Sequence, residues 1–159
     1  QLDYLDLYLM HWSGAVTPGI DFPKSGADIL DPKDMPVADT WRAMEKLVDD
    51  NLTRQIGVSN FSVPKLTALL ETARYKPAMN QVELHPYLQQ APLLRFCHDN
   101  NIHVTAYSPL GSSDRPDNFK AADEPVLLED PVIASIAERH DVTPAQVLLG
   151  WALHLALLP

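Results

Sequence analysis

Four short apolar runs recur along this chain, and each one closes on polar residues. They are "LDLYLMH" (Leu5 to His11), "QIGVSN" (Gln55 to Asn60), "MNQVEL" (Met79 to Leu84) and "HVTAYS" (His103 to Ser108). Each has strand length and is apolar enough to be buried on both faces, the pattern of a parallel sheet. Amphipathic stretches alternate with them. Trp41, Met44, Leu47 and Val48 fall on one helical face of Asp39 to Asp50. Ser62 is placed to N-cap "VPKLTALLETAR", with Pro64 in its first turn. "APLLRFCHDN" predicts a third helix, Asp130 before Pro131 opens a fourth, and "TPAQ" (Thr143 to Gln146) reads as a capping box opening a fifth.

Strand–helix alternation of this kind predicts an α/β fold, a parallel sheet covered by helices. Right-handed crossovers leave a doubly wound sheet or a (β/α)8 barrel. No G-x-G-x-x-G follows any strand, which argues against the dinucleotide-binding doubly wound option. The polar strand ends favour the barrel, whose chemistry sits at the carboxyl ends of its strands. Here those ends are His11 and Trp12, Ser59 and Asn60, Glu83 and His85, Tyr107 and Ser108. The Pro- and Gly-containing segment from Ser13 to Ala38 is then a long loop over the mouth.

The 159 residues, 46% hydrophobic and 21% charged, suffice for one domain with a core, taken as residues 1–159. A net charge of -9 argues against a nucleic-acid or anionic-membrane surface, although local groups can still hold a phosphorylated ligand. The apolar tail "WALHLALLP" is too short to span a bilayer. Cys97 is the sole cysteine, which fits a reducing compartment. The chain opens inside a structured pattern without Met, so both ends read as cut.

Other chemistries find less support. Glu83 and His85 share a strand face, but a third metal ligand is not apparent, and "HP" after a strand reads as a structural turn. A glycosidase needs two facing carboxylates, and only Glu83 is placed for that. A Schiff-base aldolase needs a strand-end lysine, which none of the four runs offers. Asp28, Asp31 and Asp34 lack EF-hand spacing and read as a solvated loop. His98, His103, His140 and His154 share no spacing.

"LDYLDLYLMHW", "IGVSNF", "NQVELHPYLQQ" and "TAYSPLGSSDRP" together resemble the aldo-keto reductases, in that family's order and at its spacing. "DEPVLLEDPVI" leans toward the aldehyde reductase and aldose reductase branch. The resemblance implies a partial (β/α)8 barrel of about four parallel strands, lacking the first three and the last. It implies hydride transfer between NADPH and an aldehyde, ketone or sugar carbonyl in the complete barrel. Of the family's four catalytic residues, the Asp, Tyr and Lys fall before Gln1, and the histidine matches His11. A neutral imidazole there can orient a carbonyl and donate a hydrogen bond as negative charge develops.

By the same resemblance Trp12 walls the substrate pocket, and Ser59, Asn60 and Gln81 meet the nicotinamide carboxamide, whose acceptor and donors such groups complement. Tyr107 is the stacking residue. Ser108, Leu110 and Ser112 match cofactor-contacting positions, and Asp114 with Arg115 resembles the loop that folds over the cofactor. Ser13 stands where the family usually has proline, a departure that bears on pocket shape. The implied setting is cytoplasmic, the partner a small carbonyl or alcohol, with self-association through open sheet edges. Two other readings stand beside the enzyme: a non-catalytic cofactor-binding or regulatory module, and an inactive truncated product.

Overall fold

The computed structural model describes residues 2–20, 23–113, 115–116, 120 and 123–157. Its strands are β1 (Leu5–Met10), β2 (Thr53–Ser59), β3 (Met79–Glu83) and β4 (His103–Tyr107). The helices between and after them are α1 (Val37–Asp49), α2 (Val63–Leu70), α3 (Ala91–Asp99), α4 (Pro131–His140) and α5 (Pro144–Leu157). The sheet runs β1-β2-β3-β4 in chain order. β2 pairs in parallel with β1, Leu7 opposite Gln55 and Met10 opposite Val58, and with β3, Ser59 opposite Gln81. The fold is α/β, a partial (β/α)8 barrel as the sequence implies. Contacts divide the chain into two compact units, Gln1–Gln81 with Pro92–Val104, and Val82–Ala91 with Thr105–Pro159.

In the first unit β2 is the central strand, with Ile56, Gly57, Val58 and Ser59 all buried. Gly57 is obligatory. A Cβ there would lie 2.7 Å from Leu9 Cδ2 and 2.8 Å from the Met79 carbonyl, so the strands close only around a hydrogen. Trp41 and Met44 of α1, Leu66 and Leu69 of α2, and Leu93 and Cys97 of α3 complete the apolar interior. Trp41 donates its indole N–H to the Tyr75 carbonyl at 3.0 Å, which satisfies the one polar atom that burial would strand.

Sequence and structure part at three places in this unit. β1 was expected to be buried, but Leu5 and Tyr8 are 41% and 45% exposed. It is an edge strand, paired on one side by β2 alone. The second helix ends at Leu70 instead of running on to Arg74. The buried Glu45 carboxylate accepts the backbone N–H groups of Arg74 (2.7 Å) and Tyr75 (3.0 Å), which draws that backbone out of the helical ladder. The segment after Ser13 is not a plain loop. Val16 and Ile29 form an antiparallel bridge, closed by a 3-10 turn at Gly26–Asp28. Asp28 and Asp31 are turn formers there, not merely solvated: Asp28 Oδ2 accepts from the N–H of Lys24 and Ser25, and Asp31 Oδ1 from that of Lys33.

The second unit is built on Leu127, Ile133 and Leu148, with Leu110 and Val147 packed against them. Asp130 caps α4, its Oδ1 accepting the N–H of Val132 at 2.8 Å and of Ile133 at 3.0 Å. The capping box of α5 is reciprocal: Gln146 N–H donates to Thr143 Oγ1 (3.2 Å), and Thr143 N–H to Gln146 Oε1 (2.9 Å).

Candidate active site

The strand ends of the first unit are stitched together by the residues the sequence singled out. Ser59 Oγ donates to the Gln81 carbonyl at 2.8 Å, joining β2 to β3. Asn60 N–H donates to that same carbonyl at 2.9 Å. The Asn60 side chain reaches the other way, its Nδ2 donating to the His11 carbonyl at 3.0 Å and to Ser59 Oγ at 3.2 Å. Asn60 adopts φ 62°, the left-handed conformation that asparagine tolerates better than most residues. One serine–asparagine pair thus fixes three successive strand ends, and brings His11, Ser59, Asn60 and Gln81 into one constellation.

His11 is exposed at the end of β1, and Trp12 is 58% exposed. Their rings lie 5.9 Å apart, tilted by 48°. Lys65 of α2 donates to the Ser13 hydroxyl, so the residue that departs from the family's proline serves as an anchor for the chain leaving β1.

Ser62 occupies the N-cap position of α2, but its side chain makes no cap bond there. Ser59 and Asn60 are engaged between strands regardless. Asn80 escaped the sequence reading altogether. It is fully buried, donates Nδ2 to the Phe61 carbonyl at 2.9 Å and accepts the Phe61 N–H at 3.4 Å. It therefore clamps the turn that carries Asn60. A second amide directly beside Gln81, in a run of strand length, was the available signal.

In the second unit Tyr107 is half-buried at the end of β4, and its carbonyl accepts the Leu84 N–H at 3.3 Å. Burial pushes its phenol above the ordinary range, with the Glu83 charge adding to the effect. Ser108 (φ 48°) and Gly111 (φ 82°) open a tight turn. Gly111 N–H donates to the Ser108 carbonyl at 2.9 Å, and Ser112 Oγ to Ser108 Oγ at 2.7 Å. A Cβ on Gly111 would lie 3.3 Å from Leu127 Cδ1, a second reason for glycine. Leu110 is pegged into the Leu127 cluster. Asp114 lies outside the described residues.

A cleft of about 610 Å³ opens beside this turn, lined by Glu83, His85, Tyr87, Ser112 and Arg115 among others. Glu83 and His85 pair with each other, His85 Nε2 lying 3.1 Å from Glu83 Oε1. The His85 and Leu88 backbones exchange hydrogen bonds of 3.3 and 2.8 Å, so "HP" does open a structural turn. Among the described residues no three His, Cys, Asp or Glu side chains are grouped to hold a metal ion. Nor is any described helix long and apolar enough to cross a membrane.

Residues 1–158 match the model of the Aldo/keto reductase family. An aldo/keto reductase of Synechocystis sp. is 55% identical over 152 residues, covering 96% of this chain and 46% of that protein. Aldo-keto reductase family 1 member A1 of Mus musculus is 47% identical over 152 residues, and that of Gallus gallus 49%, each with 95% of this chain and 46% of the relative covered. The chain thus spans about half the length of the curated relatives it matches. On the strength of a match running through residues 1–158, the chain belongs to the aldo/keto reductase family.

Proposed function

We propose that this chain supplies the hydrogen-bonding histidine and much of the nicotinamide site of an NADPH-dependent aldehyde reductase. The observation that carries the reading is the Ser59–Asn60 stitch, which holds His11, Ser59, Asn60 and Gln81 at neighbouring strand ends through bonds of 2.8 to 3.2 Å. When bound, NADPH supplies the hydride for the carbonyl carbon. The residues present fit its carboxamide. Ser59 has its proton committed to Gln81, so it meets an amide N–H as an acceptor. The half-buried Gln81 brings an amide of its own.

His11 orients the carbonyl oxygen and donates a hydrogen bond as negative charge grows there. Trp12 contributes an apolar wall to the substrate pocket. Tyr107 stacks on the nicotinamide. Ser108, Leu110, Ser112 and Asp114 hold the cofactor further along its length. The inward peg of Leu110 leaves that residue to act through its backbone. The substrate class is a small aldehyde, ketone or sugar carbonyl, or the matching alcohol, and the compartment is cytoplasmic, in keeping with the buried free thiol of Cys97. The exposed apolar side chains of edge strand β1, Leu5 and Tyr8, favour self-association of the chain by itself.

The test uses a completed barrel, these residues joined to the portions of a relative that lie outside the match. His11→Asn should lower kcat for aldehyde reduction, followed by loss of NADPH absorbance, by roughly two orders of magnitude, the scale of a lost transition-state donor. A variant that turns over like the parent removes His11 from the chemistry and with it this reading.

A further inference from the structure

The turn from Ser108 to Arg115 has two kinds of fastening. Its first half is held internally and by the Leu110 peg. Its far end is held by charge. Arg115 N–H donates to the Ser112 carbonyl at 3.2 Å, which closes the turn, and the guanidinium then reaches two carboxylates. Nη2 pairs with Glu124, and Nη1 lies 4.0 Å from Glu83 Oε1. Glu124 sits on an exposed stretch of the chain. Glu83 does not, since it ends β3 and is half-buried.

Glu83 is itself fixed from two directions. Its carbonyl accepts Gln90 Nε2 at 3.0 Å, and its carboxylate faces His85 Nε2 at 3.1 Å. His85 is buried within the turn that closes on Leu88. A buried imidazole so confined holds its Nε2 edge against Glu83, which favours a single orientation of the carboxylate. Across the cleft its carboxylate faces Arg115, the residue that ends the turn.

We propose that Glu83 is a positioning residue. Oriented by His85, it tethers the Arg115 end of the turn to the carboxyl end of β3, and so sets how long a dinucleotide phosphate group held by that turn is retained. The retention half of this inference rests on the proposed function; the tether does not.

The two halves separate in one experiment on the completed barrel. Glu83→Gln keeps the shape and removes the charge. Amide exchange of Gly111 and Arg115, measured without cofactor, should quicken relative to the parent, because the turn loses one of its two charged fastenings and keeps only that to exposed Glu124. Stopped-flow NADPH release should accelerate by about two- to fivefold, the scale of a partly exposed ion pair. The KM for NADPH should rise by more than any fall in kcat. His85→Leu should act in the same direction, whereas His85→Gln, which keeps a donor near the Nε2 position, should restore parental release. Exchange and release both at parental rates in Glu83→Gln would overturn the proposal. Faster exchange with unchanged release would keep the tether and defeat the reading of the turn as a dinucleotide holder.

Discussion

The strand ends around Ser59 and the turn around Ser112 are both rich in small polar residues, yet they are held by different physics. At the strand ends the Ser59 and Asn60 side chains are spent on the backbone carbonyls of neighbouring strand ends, through neutral bonds of 2.8 and 3.0 Å. Beneath them lies the fully buried Asn80 clamp. Such neutral bonds are little affected by salt. The Ser108–Arg115 turn depends instead on one apolar peg and on ion pairs that are about one-quarter to one-third exposed. Interactions of that kind are individually weak and fade with ionic strength. A reacting carbonyl needs groups fixed to fractions of an ångström, whereas a cofactor that exchanges every cycle needs a fastening that can be undone. In the proposed reductase the two regions divide those tasks.

The comparison breaks outright if either region works without the rest of a barrel. The 159 residues alone are expected to show no aldehyde reduction. In the implied mechanism a tyrosine protonates the carbonyl oxygen, and the resemblance assigns that tyrosine to a position before Gln1. His11 would be left as the only group stabilising the developing charge. The measurement is NADPH consumption with a reactive aldehyde, by the purified chain and then by a mixture with the flanking portions of a relative. Robust turnover by the chain alone would show that the strand-end constellation carries its own acid. Rescue on mixing would place the missing acid in the added portions.

Two substitutions sharpen the contrast at a smaller scale. Asn80→Leu leaves the Phe61 N–H and carbonyl buried without their partner, so the completed barrel should lose about 1–3 kcal/mol of stability to urea, the cost of stranding buried polar groups. NADPH affinity should suffer only through the turn that carries Asn60. Tyr107→Ala should do the converse, weakening NADPH binding by about 1–3 kcal/mol, the scale of a lost aromatic stack, as read by tryptophan fluorescence titration. Should Asn80→Leu leave urea stability unchanged, the strand ends would not be the rigid partner in this pairing. Equal NADPH affinity in Tyr107→Ala would leave that ring as ordinary core.

What could be read from the sequence follows the same division. Among the described residues, periodicity located the four strands and five helices because local pattern drives them, and two of the caps, Asp130 before Pro131 and Thr143 with Gln146, behave as their residue types dictate. Apart from the local Asp28 and Asp31 turns, the failures involve partners distant in sequence. The second helix stops early because Glu45, 29 residues before Arg74, captures its backbone. β1 is exposed because burial depends on what lies on both sides of a strand, which no single run reports. Asn80 takes its role from Phe61, 19 positions away, which its own run does not reveal. The Glu83–Arg115 approach joins residues that the sequence treated separately, one as a weak metal candidate and the other as part of a cofactor loop.

The smallest expected effect lies in the second unit, where charge does the fastening and pH should therefore be felt. Tyr87 donates its hydroxyl to Asp130 Oδ2 at 2.5 Å, while Oδ1 accepts the first N–H groups of α4. The tyrosine hydroxyl, then the Ile133 and Val132 amides, hold the Asp130 carboxyl below its usual range. A carboxyl lowered on folding binds fewer protons in the native state than in the unfolded one. Its contribution is therefore fully present above the unfolded value, about 3.9 for aspartate, and is lost as pH falls through the lower folded value. Acid should accordingly loosen the start of α4 only below about pH 4, with Val132 and Ile133 amide shifts following the Asp130 carboxyl carbon in an NMR titration. Tyr87→Phe removes the largest cause and should move that midpoint back toward the ordinary value, leaving the two amide bonds in place. The strand-end stitch contains no carboxylate, so Asn60 and Ser59 resonances should not move with this titration. An Asp130 midpoint at the ordinary value in the parent, or one that Tyr87→Phe leaves where it was, would show that the cap does not depend on the tyrosine. Movement of the Asn60 signals in step with Asp130 would erase the distinction between the neutral and the charged region.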